Sequence, residues 1–343
     1  MSAVSATASP AEQLQGGALA TGELDVAAYL QRWLAHARGR VRAVTYEGYE
    51  VLLRRHALPR LGQLRLEELD PLAIQNLYGE LLAGSAERGA LSAGTVLNLH
   101  LVLNQAFAQA VRWRLLAANP VAGAQPPRPR RAPRQLVDPP LLAALLASVA
   151  GSWLEAPAAI AVATGMRRGE ILGLRRSDLK SDLSALRVHR TLQPTREGLV
   201  FEQPKTARSR RTVLLPAFLR PYLERQLAAQ AARRAGAADW QEQGLLIDRG
   251  DGRPLNPDTL STGWARHLRR QKLPPIRFHD LRHAHATLML VQGVHPKVVS
   301  ERLGHASVGI TLDTYSHVLP TLQEEAAAAF DALFGEESRL SRS

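Results

Sequence analysis

The sequence predicts a mainly α chain with a small antiparallel β-sheet (α+β), divided into a helical first domain and a mixed second domain. Three observations carry this. Apolar residues recur at helical spacing from Asp25 to Val111. A stretch of proline and arginine, QPPRPRRAPR from Gln125 to Arg134, then interrupts every pattern. Short β-type runs are confined to Ala185 to Leu215, with helical spacing on both sides. A chain of 343 residues, 45% hydrophobic, is long enough for two cores.

Residues 1–22 are rich in Ala, Ser, Thr and Gly without periodicity and read as a flexible tail. Over 23–122, four helices are expected. The first places Val26, Tyr29, Leu30, Trp33 and Leu34 on one stripe, and the second starts near Thr45 with Tyr46, Tyr49, Leu52 and Leu53. Asp70 before Pro71 combines an N-cap with proline at the first helical position. Ser92 caps a fourth helix through Val96, Leu99, Leu103, Phe107 and Val111, which Asn119 and Pro120 stop. Residues 123–135 form a linker that proline keeps extended.

In the second domain, 136–343, helices are expected over Pro140–Ala150 and Ala156–Ala163, broken by Gly165, with Arg167 and Glu170 three apart as the next begins. That pair also reads as an ordinary surface ion pair. LRVHRTL, LVFEQ and RTVLLP are the strands, joined by QPTREG and PKTARSR. Further helices are expected over Pro221–Arg234, Pro257–Lys272 and Asp280–Gln292. The last would put His279 and Arg282 on one outward face opposite Leu281, Ala284 and Leu288. That pattern also fits a core helix with a solvated face. Gly304 ends one helix, His305 follows it, and a short helix leads to Tyr315. The final amphipathic piece, 322–333, carries Leu322, Ala326, Phe330 and Leu333 and must dock on its own domain or on a neighbouring subunit.

The formal charge of +12, mostly from arginine, points to a polyanionic partner. Arg128, Arg130, Arg131 and Arg134 in the linker, with Lys205, Arg208, Arg210 and Arg211 on the third connection, are candidate DNA-backbone contacts or merely solvated cations. The absence of cysteine excludes disulfides, thiolate metal sites and cysteine nucleophiles. No apolar run reaches membrane-spanning length and no secretory leader stands at the start, so a soluble intracellular protein is expected.

Arg167, Lys205, His279, Arg282, His305 and Tyr315 contain no carboxylate or thiolate. As a set they are poor metal ligands but suit a phosphodiester. An attacked phosphate gathers negative charge, and preorganised cations stabilise that state more than the ground state. A tyrosine hydroxyl, with a free pKa of about 10, needs a base or a strong positive field to attack. The leaving sugar oxygen needs an acid, which Lys205 on a hairpin can supply.

These residues stand in four ordered boxes. TGMRRGEILGL, PKTARSRRTVLLP, HDLRHAHATL and LGHASVGITLDTYSHV resemble the first arginine box, the lysine hairpin, the HxxR box and the final His and Tyr box of the tyrosine recombinase (phage integrase) family, particularly phage and mobile-element integrases. The match is dense from Ala163 to Leu319, and the segment from Tyr46 to Pro120 is similar to that family's helical core-DNA-binding (SAM-like) domain.

The resemblance implies a core-binding domain joined to a tyrosine-recombinase-type catalytic domain. It implies a site-specific DNA recombinase (integrase) that cleaves and rejoins strands through a 3′-phosphotyrosyl intermediate, without ATP, metal or other cofactor. Tyr315 would be the nucleophile, Arg167 and Arg282 the clamp on the non-bridging oxygens, and His279 the general base and acid. Lys205 would protonate the leaving 5′ oxygen, His305 would hydrogen-bond the phosphate, and Glu170 would support the arginine box. It further implies double-stranded DNA attachment sites as substrate, a homo-tetramer with 322–333 docking on a neighbouring protomer, and a bacterial cytoplasmic, nucleoid-associated location.

Two departures stand out: the residues before Asp25 leave no room for an arm-binding domain, and Ala284 stands where relatives often carry Thr or Ser. Rival readings are a type IB topoisomerase-like nicking-closing enzyme, a catalytically silent DNA-binding protein of the same fold, and a metal hydrolase using His279, His283 and His285.

Overall fold

Short polar side chains start most of the long helices, as the sequence predicts. In the computed structural model, which describes residues 24–85, 89–129, 137–203, 210–305, 307–315, 327–328 and 330–331, Asp25 accepts from the Ala28 amide at 2.6 Å to open α1 (Val26–Ala37). α2 (Ala43–Leu52) begins two residues before the expected Thr45 and runs through a π-helical turn, Leu53–Ala57, into α3 (Leu58–Leu61). That turn keeps Leu53, Ala57 and Leu61 in the core, at 0%, 0% and 3% exposure. Asp70 caps α4 (Pro71–Ala83) through the Ala73 amide at 2.7 Å, and Ser92 caps α5 (Ala93–Arg112). Asn119 and Pro120 open a short 3₁₀ turn instead of ending α5. These elements close over a core of Tyr29, Trp33, Leu53, Ile74, Leu77, Tyr78, Leu103 and Phe107. The Tyr29 hydroxyl donates to the Ala106 carbonyl at 2.5 Å, so its polar end is satisfied inside that core.

Contacts divide the chain into two units, Met1–Pro133 and Arg134–Ser343. In the second, Asp138 caps α6 (Pro139–Ser148), and α7 (Glu155–Thr164) is buried at every residue except Val162. Its alanines let neighbours approach closely, and α6, α8 (Arg168–Leu172), α9 (Arg220–Gly236) and α11 (Asp280–Val291) all pack on it.

The β region differs from expectation. The run LRVHRTL is two strands, β1 (Ala185–Val188) and β2 (Thr191–Thr195), because Arg190 donates to Asp178 at 2.6 Å and to the Gly173 carbonyl at 3.4 Å where the chain turns. β2 pairs antiparallel with β3 (Gly198–Glu202), Thr195 opposite Gly198, so most of the predicted connection QPTREG is strand. β1 pairs antiparallel with β4 (Arg211–Leu214), Val188 opposite Arg211. There are thus two small two-stranded sheets among the described residues.

α10 (Pro257–Arg270), α11, α12 (Pro296–Leu303) and α13 (Val308–Tyr315) complete the unit. Trp264 of α10, fully buried, donates its indole N–H to the Ile276 carbonyl at 2.8 Å and meets Phe278 edge-on at 5.7 Å. This fixes the segment that delivers His279 to the start of α11. The expected terminal helix 322–333 lies mostly outside the described residues. Ala327, Ala328, Phe330 and Asp331 are helical and exposed, while Leu322, Ala326 and Leu333 are not described. No helix among the described residues is long and apolar enough to cross a membrane.

Replacing Trp264 by Phe keeps an aromatic side chain but removes the five-membered ring and its N–H, leaving the Ile276 carbonyl without its donor and a small space in the core. A loss of about 1–3 kcal/mol in unfolding free energy is expected, read by urea denaturation followed by circular dichroism.

Candidate active site

A helix leaves its last carbonyls without partners, and they carry the negative end of the helix dipole. Here the ends of α7 and α12 come together, and arginines, with one neutral histidine, serve both. At the α7 end, His285 Nδ1 bonds the Val162 carbonyl at 2.8 Å, Arg302 Nη2 donates to Ala163 at 2.8 Å, and Arg282 Nη1 donates to Gly165 at 2.6 Å. At the α12 end, Arg211 Nε donates to the Arg302 carbonyl at 2.6 Å, Arg282 Nη2 to Leu303 at 2.9 Å, and Arg167 Nη2 to Gly304 at 3.4 Å. Arg282 therefore bridges the two helix ends.

Both helices stop at a glycine in the left-handed region, Gly165 at φ +63° and Gly304 at φ +67°. A Cβ at Gly165 would lie 2.6 Å from Leu303 and 2.7 Å from His285, and one at Gly304 would lie 2.8 Å from Arg211 Nη1. Glycine is required at both for conformation and for space.

Glu170 is 3% exposed. Its Oε2 accepts from the Arg167 backbone amide at 2.8 Å and Arg211 Nη2 at 3.0 Å, and its Oε1 from Arg167 Nη1 and Arg211 Nη1, both at 3.1 Å. The backbone bond is the N3 half of a capping box at the start of α8. Burial pushes the Glu170 pKa up, but Arg211 and then Arg167 outweigh it and hold the carboxyl below its ordinary range.

His305 follows Gly304, half-buried, with Nδ1 2.8 Å from the hydroxyl of the buried Thr311 on α13. Loss of hydration, then Arg282 and Arg167, lower its pKa to about 4. His279 lies one turn before Arg282, its ring edge-on to His283 at 5.0 Å. Partial loss of hydration and the Arg282 charge lower its pKa below the usual histidine value, against the opposing pull of Asp280. Burial lowers His285 to about 4 as well. Its Nε2 accepts from Arg302 Nε at 3.2 Å, so the neutral ring carries its proton on Nδ1, where Val162 receives it.

Arg167, Glu170, Arg282 and His305 are thus brought together, with His279 one turn away. Tyr315 is the last residue of α13, ten positions after His305 in the chain. Lys205 and Arg208, and the linker cations Arg130, Arg131 and Arg134, lie outside the described residues. Arg128 and Arg210 are exposed.

Two expectations are corrected. Arg282 does not face outward: it is 3% exposed, because unpaired helix-end carbonyls draw it inward. Arg211 is not on a solvated hairpin tip: its side chain is 7% exposed, because a buried carboxylate demands a cation. The signal for Arg211 was present, since strand alternation puts it on the same face as the buried Val213. His285, Arg302 and Thr311 were missed as site-supporting residues, and no spacing rule marks them. The three histidines of the metal reading do not converge, His285 being turned onto Val162 and Arg302. Among the described residues no three His, Asp or Glu side chains form a ligand set.

The Phage integrase family pattern matches residues 139–321, more than half of the chain, and its N-terminal SAM-like domain pattern matches residues 26–82. The chain belongs to the phage integrase family. It is a site-specific recombinase of the tyrosine type, with the mainly helical fold of that family. Among integrase-family relatives, the Tyrosine recombinase XerC-like of Caldanaerobacter subterraneus subsp. tengcongensis is 28% identical over 291 residues, spanning 79% of this chain and 73% of that protein. The ICEBs1 integrase of Bacillus subtilis is 33% identical over 174 residues, 51% of this chain and about half (47%) of that protein. A solved structure of the Tn1549 transposon integrase in complex with transposon right end DNA shares the fold, with a TM-score of 0.74, 21% identity and coverage of 89% of this chain and 100% of that one. A lambda integrase tetramer bound to a Holliday junction superposes with a TM-score of 0.66 at 18% identity, covering 89% and 83%.

His285 and His305 are held neutral by the integrase fold. In the unfolded chain they take up protons at about pH 6.5, but in the folded chain only near pH 4. Their stabilisation is therefore complete above pH 6.5 and lost as pH falls through about 4. A Tm that drops reversibly between about pH 7 and pH 4.5 is expected, with His285 accounting for on the order of 2–3 kcal/mol. A His285→Gln variant should lose less over that range.

Proposed function

We propose that this recombinase cleaves and rejoins double-stranded DNA through a 3′-phosphotyrosyl bond at Tyr315. The observation that carries the reading is the convergence of Arg167, Arg282 and His305 on the end of α12, with His279 one turn before Arg282. Such a cluster of fixed cations and neutral imidazoles matches the charge that develops on an attacked phosphodiester.

The Tyr315 oxygen attacks the phosphorus, and the bond from phosphorus to the 5′ oxygen breaks. His279, whose lowered pKa leaves it neutral near pH 7, takes the tyrosine proton. Lys205 gives a proton to the departing 5′ oxygen. Arg167 and Arg282 hold the non-bridging oxygens. If the Thr311 hydroxyl donates to His305 Nδ1, then Nε2 carries the proton and serves as a neutral hydrogen-bond donor to the phosphate. Religation reverses these steps with a 5′-hydroxyl from a second strand. Because the phosphotyrosine conserves the bond energy, neither ATP nor a metal is required.

Arg128, Arg130, Arg131, Arg134, Arg208 and Arg210 add phosphate contacts, each releasing counterions. The lambda integrase tetramer bound to a Holliday junction supports a homo-tetramer on DNA here; docking of 322–333 on a neighbouring protomer and a bacterial cytoplasmic location belong to the same proposal.

The test is a nicked suicide duplex carrying the attachment site from the DNA flanking the gene. Wild type should leave a covalent adduct on a denaturing gel, and Tyr315→Phe none. Arg282→Ala should slow adduct formation about 10²–10³-fold, and EDTA should leave it unchanged. An adduct that persists in Tyr315→Phe refutes the nucleophile, and one abolished by EDTA refutes the metal-free mechanism. A junction-resolution assay on the same site separates recombination from simple nicking and closing.

A further inference from the structure

We propose that Arg211 is a positioning residue for strand cleavage, holding Arg167 in place through the buried Glu170 carboxylate. The inference rests on the proposed role of Arg167 and extends it to a residue on a different element.

Arg167 is poorly held by its own surroundings. Its side chain is 43% exposed, it meets Glu170 through a single guanidinium nitrogen at 3.1 Å, and its bond to the Gly304 carbonyl is 3.4 Å long. Its direction therefore depends on how the Glu170 carboxylate is turned. Arg211 sets that direction: Nη1 and Nη2 form a fork on Oε1 and Oε2 at 3.1 and 3.0 Å, with both side chains under 10% exposed.

The third donor, Nε, takes the Arg302 carbonyl at 2.6 Å, one residue before the Leu303 carbonyl that anchors Arg282. One planar group thus fixes the support of both arginines at once. Lysine cannot replace it, since an ammonium presents a single point of charge to three acceptors spread over two elements. The root of this arrangement is β4, where Arg211 pairs with Val188 and shares the inward face of Val213.

The experiment measures single-turnover adduct formation on the nicked duplex at saturating protein, together with DNA affinity, for wild type, Tyr315→Phe, Arg211→Met and Arg211→Lys. Expected for Arg211→Met is a fall of about 10²-fold in rate with DNA affinity within about threefold. Arg211→Lys should recover only part of the rate. Without Arg211, the largest influence holding it down, the buried Glu170 carboxyl shifts upward. Arg211→Met should therefore show the acid limb of its pH–rate profile, which His279 sets in wild type, moved towards higher pH.

Removing Arg211 also takes one of the two guanidinium partners from the buried Glu170 carboxylate, so Arg211→Met/Glu170→Gln is measured as well. It should regain the wild-type Tm without regaining the rate. In an Arg167→Ala background, Arg211→Met should cost less than it does in wild type. Wild-type rate in Arg211→Met, a loss that tracks DNA affinity alone, or recovery of both Tm and rate in the double variant would each overturn the inference. A wild-type adduct that Tyr315→Phe abolishes, combined with any of those results, sinks only the role of Arg211. No wild-type adduct sinks the functional reading instead.

Discussion

The second unit depends on how the ends of α7 and α12 are terminated. Two helices that stop in the interior leave a set of carbonyls that water cannot reach, and each would cost about 1–3 kcal/mol if left unmade. This protein supplies cations to them, and Arg282 spans both ends. The same bonds that satisfy the backbone therefore fix the guanidinium in orientation. Structural need and chemical function meet in one side chain, because a planar group bonded at two points has little freedom left.

Concentrating arginines creates a second constraint. Arg167, Arg211, Arg282 and Arg302 crowd a small volume, and their mutual repulsion must be offset. Among the described residues Glu170 is the buried carboxylate bonded to this group, and its four accepted bonds from Arg167 and Arg211 hold two of the charges together. The same positive field acts on the histidines. Loss of hydration first, and that field second, keep His305 and His285 neutral far below their ordinary titration range, so they serve as hydrogen-bonding groups and add no further charge. His279, exposed and beside Asp280, is lowered by partial loss of hydration and Arg282 while Asp280 opposes the shift. Three histidines within one site thus acquire different properties from hydration and charge alone.

Much of the first unit was legible because its signals are local. Asp25, Asp70 and Ser92 precede apolar stripes, and a cap followed by a periodic stripe determines a helix whatever surrounds it. The π-helical turn after Leu52 was not legible, since it answers to the core that Leu53 and Ala57 must reach. In the second unit the strands were recognised but their pairing was not. The break at His189 and Arg190 comes from Asp178, which lies outside the strands, twelve residues before Arg190.

The sequence by itself determined the order and spacing of the arginine, histidine and tyrosine boxes and the helix-ending glycines, all of which are local chemistry within a few residues. Tertiary structure decided which way those side chains face. Arg282 turned inward and Arg211 left the surface because the groups that attract them, the α7 and α12 carbonyls and the Glu170 carboxylate, come from segments dozens of residues away. The cost of burying a carbonyl or a carboxylate without a partner arises only when the chain has folded around it.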